Sequence, residues 1–251
     1  MIRRLFLICS TLLVATQLAH AEAQRALLTH ENKFPELGKA EVGALYNYSD
    51  YNDGDVDELA PYARYTIIQN LTLNADLPWV WNNPENGEHE SGIGDATIGV
   101  ELLAYQDIFE YPWVIPHVEV TMDTGDEEEG LGSGETVTTL GISVGTTVYD
   151  VLHYIIDVSY ALNGGHEQPD QDDVTILSGS IIWDISDKFA VLAEGRVTDE
   201  DNIEDETPQF LQGGLAYKFT EDFQLSCYGG AARASGDLDA DVVTVKAAYS
   251  F

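Results

Sequence analysis

The sequence predicts an all-β chain, a closed antiparallel transmembrane β-barrel of about twelve strands. Three observations predict it. Apolar side chains recur at every second position through segments of roughly 10 to 13 residues. The connections between these segments alternate between tight turns and long polar links. Aromatic residues gather at the ends of the apolar rows, where a membrane barrel places its interfacial girdles.

The rows are explicit. Ala40, Val42, Ala44, Tyr46 and Tyr48 form one, and Leu71, Leu73, Ala75, Leu77, Trp79 and Trp81 another. The comb returns at Ala96, Ile98, Val100 and Leu102, at Leu140, Ile142 and Val144, and at Leu152, Tyr154, Ile156, Val158, Tyr160 and Leu162. Phe189, Val191, Ala193 and Val197, then Leu211, Leu215, Tyr217 and Phe219, then Phe223, Leu225 and Cys227 continue it, and Val243, Val245, Ala247, Tyr249 and Phe251 end it. Successive strand residues face opposite sides of a sheet, so each row marks one apolar face. The comb at residues 112–124 is blurred by Pro112 and Pro116, which leaves ten to fourteen strands open around the preferred twelve.

Tight links fall near Gln69 and Asn70, Tyr149 and Asp150, Asp187 and Lys188, and Glu221 and Asp222, with a longer one at residues 106–111. Long polar links are expected at residues 50–57, 82–91, 123–134, 163–173, 198–206 and 235–241. An even number of strands with short periplasmic turns and long extracellular loops is the layout of an outer-membrane barrel, and a soluble sandwich has no reason to sort its loops this way. Trp79, Trp81 and Tyr160 lie at the long-loop ends of their rows, and Tyr154, Trp183, Phe189, Phe219, Phe223, Tyr249 and Phe251 at the short-turn ends. Taken singly, each is also explained as an ordinary strand aromatic.

Composition narrows the function classes. The 251 residues carry 44 Asp and Glu against 11 Lys and Arg, a formal net charge of -33 and a pI near 4.1, which argues against a nucleic-acid partner. Mean hydropathy is -0.13, and past the N-terminus no apolar run reaches the ~18 residues of a membrane helix. Residues 1–21 read as an export signal, with Arg3 and Arg4 at the start, an apolar stretch over residues 5–18 and the cleavage pattern Ala19-His20-Ala21. Cys9 falls inside it, which leaves Cys227 as the one thiol of the mature chain and no disulfide framework. Residues 22–38 are expected to form a periplasmic segment or a plug folded into the lumen, and residues 39–251 the barrel. The terminal Phe251, at the end of an alternating strand, resembles the signal by which such barrels reach the barrel assembly machinery.

Residues 25–29 (Arg-Ala-Leu-Leu-Thr), Leu37-Gly38-Lys39 and the run Gly92-Ile93-Gly94-Asp95-Ala96-Thr97-Ile98-Gly99 resemble the outer-membrane barrel family labelled MetA-pathway of phenol degradation. Thr124-Gly125-Asp126, Gly130-Leu131-Gly132-Ser133-Gly134 and Tyr160-Ala161-Leu162-Asn163-Gly164 follow in that family's order, with Asp123 where the family usually has proline. The resemblance implies a barrel associated with uptake of hydrophobic or aromatic compounds, and brings no catalytic residues.

The faces opposite the apolar rows are expected to line the lumen. They place Glu41, Arg64, Asp76, Asp95, Glu101, His117, Glu119, His153, Asp157, Glu194, Arg196, Lys218 and Lys246 inward, because a Lys or Arg on the lipid face costs about 2 to 4 kcal/mol at mid-bilayer. Either these residues select solutes, or they form a salt-bridged wall that stabilises a narrow barrel. The remaining acids crowd the long loops, as at Asp126, Glu127, Glu128 and Glu129, to make a negative rim that could focus cations. None of these loops has the ligand spacing of an EF-hand, so neither a dedicated metal site nor a cofactor is expected. Catalysis is not expected either. His117 and His153 fall on the inward parity with no Ser two positions away, and residues 130–134 lack the Lys-Ser/Thr ending of a phosphate loop. The resulting expectation is a barrel in contact with outer-membrane lipid and lipopolysaccharide that passes a small-molecule solute by diffusion. The alternative is a plugged structural or adhesive barrel without transport.

Overall fold

The computed structural model describes residues 23–107, 111–164, 173–200, 208–233 and 239–251. The expected export signal lies outside them. Fifteen strand segments form one sheet: β1 (Ala40–Tyr51), β2 (Gly54–Ile68), β3 (Leu71–Asp76), β4 (Trp79–Pro84), β5 (Glu90–Ile93), β6 (Ala96–Leu102), β7 (Tyr105–Gln106), β8 (Trp113–Met122), β9 (Val137–Val148), β10 (Leu152–Asn163), β11 (Val174–Ser186), β12 (Phe189–Glu200), β13 (Gln209–Lys218), β14 (Phe223–Arg233) and β15 (Ala240–Ser250). All pairings are antiparallel. β1 pairs β2 along one edge, from Ala40 opposite Tyr65 to Tyr51 opposite Gly54, and β15 along the other, from Glu41 opposite Ser250 to Tyr51 opposite Ala240. First and last strands are therefore joined and the sheet is a closed barrel. Closure joins the first strand to the last, the condition for crossing lipid with β structure.

The fifteen segments make twelve staves, because β3 and β4 are one interrupted stave and β5, β6 and β7 another. The first interruption falls at Pro78, which has no N–H to give the ladder. The next stave breaks beside it at Gly94 and Asp95, and the gap is bridged by Leu77 N–H donating to Pro61 O at 3.2 Å and Gly94 N–H donating to Pro78 O at 2.9 Å. β8, where prolines blur the alternation, forms nonetheless and pairs with both β6 and β9.

The apolar rows face outward. Ile156 is 59 % exposed and Leu211 69 %, with Ile98, Ile142 and Val158 also exposed, whereas Glu41, Thr66, Thr72 and Ser143, on the opposite parity, are fully buried. This inverts the burial of a soluble protein, as lipid-facing strands require.

The link lengths partly depart from expectation. Residues 50–57 are not a loop: β1 and β2 continue past Asp50 and turn at Asn52 and Asp53, in register to Tyr51 opposite Gly54. Likewise β4 and β5 extend the ladder through Trp81 opposite Ser91 and Asn82 opposite Glu90. Two polar links thus became strand, because a period-2 ladder tolerates polar side chains on both faces once it leaves the bilayer. The link at residues 123–136 is a true loop, and it folds back on the barrel mouth. The buried Leu131 packs near Gly92, and Asn82 donates from Nδ2 to Glu129 O at 3.2 Å.

Candidate functional site

The site is the lumen, and its first component is a stretch of chain preceding the barrel. Residues 23–34 run inside the staves, with Ala23, Gln24, Arg25, Ala26, Thr29 and Glu31 all buried. The segment is closed on itself. The Glu31 carboxylate accepts the backbone N–H of Arg25 and of Ala26, the latter at 2.8 Å, and the Arg25 guanidinium returns to Glu31 at 3.0 Å. A segment with neither helix nor sheet must satisfy its backbone by side chains, and here the wall supplies them. Glu194 on β12 accepts Leu27 N–H at 3.0 Å and Leu28 N–H at 3.2 Å. Ser143 Oγ on β9 accepts His30 N–H at 3.1 Å, Ser180 Oγ on β11 accepts from Thr29 Oγ1 at 2.8 Å, and Lys246 Nζ on β15 donates to Gln24 O at 2.9 Å. Tyr228 on β14 donates to Arg25 O, and Arg25 pairs with Asp184 on β11. Burial alone lowers the Arg25 pKa, but Glu31 and Asp184 outweigh it and hold the guanidinium above its ordinary value.

The sequence-predicted lumen residues fall into connected groups. Arg64 is buried between two carboxylates, donating to Glu41 Oε2 at 3.1 Å and to Glu101 Oε2 at 2.9 Å, and Tyr62 completes Glu41 at 2.8 Å. His117 Nε2 lies 2.8 Å from Asp157 Oδ2, which also accepts from Ser143 Oγ at 2.5 Å. Glu194 binds Ser180 and Gln212 besides the N-terminal segment. Glu119 accepts from Asn74 at 3.2 Å, and His153 sits between Thr147 at 2.9 Å and Asp184 at 2.8 Å. Asp76, Arg196 and Lys218 are half-buried on the same parity.

Asp95 takes a distinct place, at the break between β5 and β6 by the long-loop mouth. Its Oδ1 accepts the N–H of Thr124 at 3.1 Å and of Gly125 at 2.9 Å, and its Oδ2 accepts the N–H of Ser133 at 2.6 Å and its hydroxyl at 2.8 Å. Partial burial raises the carboxyl pKa, but these hydrogen bonds prevail and hold it below the ordinary aspartate value. One carboxylate thereby pins the loop at residues 124–133 across the mouth.

Sequence parity missed an apolar layer inside the lumen. Trp113, Ile115, Ile155, Ile182, Leu192 and Tyr228 are buried together, with Ala26 of the N-terminal segment among them and Leu27 and Phe34 packed against the cluster. The overlooked signal is the apolar doublet: Ile155-Ile156, Ile181-Ile182 and Val191-Leu192 each place one apolar residue on either face. Trp113 lies against Gly145, where a Cβ would come within 2.1 Å of the indole ring, so the glycine makes its space. At the short-turn end, a cavity of about 950 Å³ opens beneath the segment, lined by Arg25, Lys33, Phe34, Tyr111, His153 and Asp184 among others. The lumen is thus polar along much of its wall, apolar around Ala26, and crossed by a segment tied to at least six staves.

Comparisons with known proteins agree with this architecture. The family model described as putative MetA-pathway of phenol degradation matches residues 38–236. The COG4313 outer membrane channel from Pseudomonas putida F1 superposes with a TM-score of 0.70 at 12% identity, covering 92% of this chain and 100% of that one. The NanC porin gives a TM-score of 0.64 at 12% identity over 83% and 98% of the two chains. The translocator domain of the autotransporter NalP from Neisseria meningitidis gives 0.59 at 15% identity over 89% and 91%. Comparison with curated proteins gives no match. Closed staves, an outward apolar surface and these neighbours place the protein in the outer membrane of a Gram-negative bacterium. With most of its length matched by one family model, the chain belongs to the family of the putative MetA-pathway of phenol degradation.

Proposed function

We infer that the barrel is a passive channel for small hydrophobic or aromatic molecules, and that residues 23–34 regulate passage by occupying the lumen. The supporting observation is the apolar layer of Trp113, Ile115, Ile155, Ile182 and Leu192 inside an otherwise polar wall. A water-filled pore for ions has no use for a buried indole and four branched aliphatic chains on its inner face. A solute with an aromatic body gains apolar contact there and meets hydrogen-bonding groups on either side. The long-loop end is the extracellular entrance on this reading, and the cavity at the short-turn end is the periplasmic vestibule. On this reading the solute follows its own gradient.

The alternative, a plugged barrel without transport, draws its support from the same segment, which is bound to many staves. Solute flux separates the two. Liposomes containing the mature protein are expected to take up a small phenol or benzoate faster than empty vesicles, and faster than they take up a sugar of similar size. Rates equal to empty vesicles for every solute overturn the channel reading, and a preference for the sugar overturns the assignment of solute class.

A further inference from the structure

His30, His117 and Asp157 converge inside the barrel from three separate stretches of chain: the N-terminal segment, β8 and β10. One potential ligand atom from each lies within 4.8 Å of those of the other two. The two imidazole centroids are 4.0 Å apart, and His117 Nε2 approaches Asp157 Oδ2 at 2.8 Å. His117 and Asp157 are only 5% and 3% exposed, and the His30 side chain 15%. Two imidazoles held this close, with planes tilted by 36°, away from water would repel if both were charged. Neutral, each keeps one acceptor nitrogen that needs a partner. His117 Nδ1 is buried without a hydrogen-bond partner and His30 Nδ1 has only the Glu101 carboxylate, at 3.5 Å, in a wall where most buried polar groups are satisfied.

The surroundings are built for the arrangement. Ser143 and Ser159 both donate to the Asp157 carboxylate and fix its orientation, as outer partners do for a ligating carboxylate. Gly141 pairs with His117 across the sheet, and a Cβ there would stand 2.3 Å from His117 Nε2. The missing side chain is what lets the ring lie where it does.

We propose that His30, His117 and Asp157 bind a divalent transition-metal ion of the zinc class, and that the ion fastens the N-terminal segment to the barrel wall. Two imidazole nitrogens and one carboxylate oxygen suit Zn²⁺, Co²⁺ or Ni²⁺, whereas Ca²⁺ and Mg²⁺ prefer an all-oxygen shell. Binding at His117 Nε2 leaves the ring's single proton on Nδ1, replaces the hydrogen bond to Asp157 with a shared ion, and gives the imidazoles a common partner. Glu101, with Oε1 3.5 Å from His30 Nδ1, supplies a further oxygen. Because one ligand comes from the segment and two from the wall, the ion crosslinks the two. Among the described residues the acidic loops contain carboxylates and no such pair of buried imidazoles, so their cation binding differs in kind.

The test is a Zn²⁺ titration of the mature protein in detergent, after stripping with chelator and in excess Ca²⁺ to occupy carboxylate-only sites. The expected result is one saturable site per chain, weakened about 10-fold or more in His30→Ala and in His117→Ala, with Co²⁺ giving the visible absorption of a nitrogen-ligated ion only in the unsubstituted protein. His30→Ala alters no strand residue, and heat-dependent migration on gels verifies its folding, so it decides the outcome should His117→Ala fail to fold. Absence of saturable Zn²⁺ binding, or equal affinity with and without the His30 imidazole, overturns the proposal.

Discussion

The carboxylate of Glu194, on the inner face of β12, accepts the backbone N–H of Leu27 at 3.0 Å, joining residues 167 positions apart in the chain. The same carboxylate accepts Leu28 N–H, Ser180 Oγ and Gln212 Nε2. Glu194 is therefore the wall's principal anchor for the N-terminal segment. A hydrogen bond to a charged group is worth about 1.5 to 3 kcal/mol. Glu194→Ala is expected to raise the population of released segment about 10-fold or more, read as faster amide hydrogen exchange over residues 25–31 with exchange in β12 unchanged.

Arg64 is a different kind of element, a cation on which two buried carboxylates depend. Removing one partner of a buried ion pair costs about 3 to 5 kcal/mol, since the remaining charges stay behind uncompensated. Arg64→Met is expected to destabilise the barrel by about that amount, seen as a lower urea midpoint for loss of the compact form on gels. Glu41→Gln combined with Glu101→Gln in the Arg64→Met background is expected to recover part of it, because the orphaned charges are then gone.

The outer face makes an independent prediction. Ile156 lies in the middle of β10, flanked on the same face by Tyr154 and Val158, and is 59% exposed. Ile156→Lys is expected to cost about 2 to 4 kcal/mol in a bilayer, measured by reversible unfolding from lipid vesicles. Asp50→Lys, on the outward parity near the end of β1 and beyond the apolar band, is expected to cost far less.

The loop at residues 124–133 carries a pH signature through Asp95. Its folded-state pKa is depressed, so its contribution is present above the ordinary aspartate pKa of about 3.9 and is lost as pH falls through the lower folded value. Hydrogen exchange of Thr124, Gly125 and Ser133 is expected to stay protected at pH 5 and to lose protection only in more acidic solution. Asp95→Asn is expected to abolish that dependence and loosen the loop at every pH.

Much of this architecture was legible in the amino-acid order, and the reasons are physical. Strand parity is an unbroken count of two, so Glu41, Arg64, Glu101, His117, Asp157, Glu194 and Lys246 could each be assigned to the interior from neighbours such as Val42, Val100, Val118 and Val158 alone. Closure also follows, since a chain of such strands in lipid has no permissible edge. The apolar layer was not legible, because a doublet such as Ile155-Ile156 satisfies both faces and parity cannot tell which member matters. Nor was the path of residues 23–34, whose hydrogen bonds go to residues more than a hundred positions away and leave no local period. For the same reason no local pattern joins His30 to His117 and Asp157, and residues 50–57 read as a loop because their acids obscure the register that carries β1 into β2.

The proposed channel is obstructed from within by its own N-terminal segment. Single-channel conductance in planar bilayers tests it most directly, comparing the mature protein with a form lacking residues 22–34. Small or infrequent conductance is expected for the mature protein, and a several-fold larger, sustained conductance once the segment is gone. Equal conductance in the two forms, with both folded as heat-modifiable barrels, would contradict it.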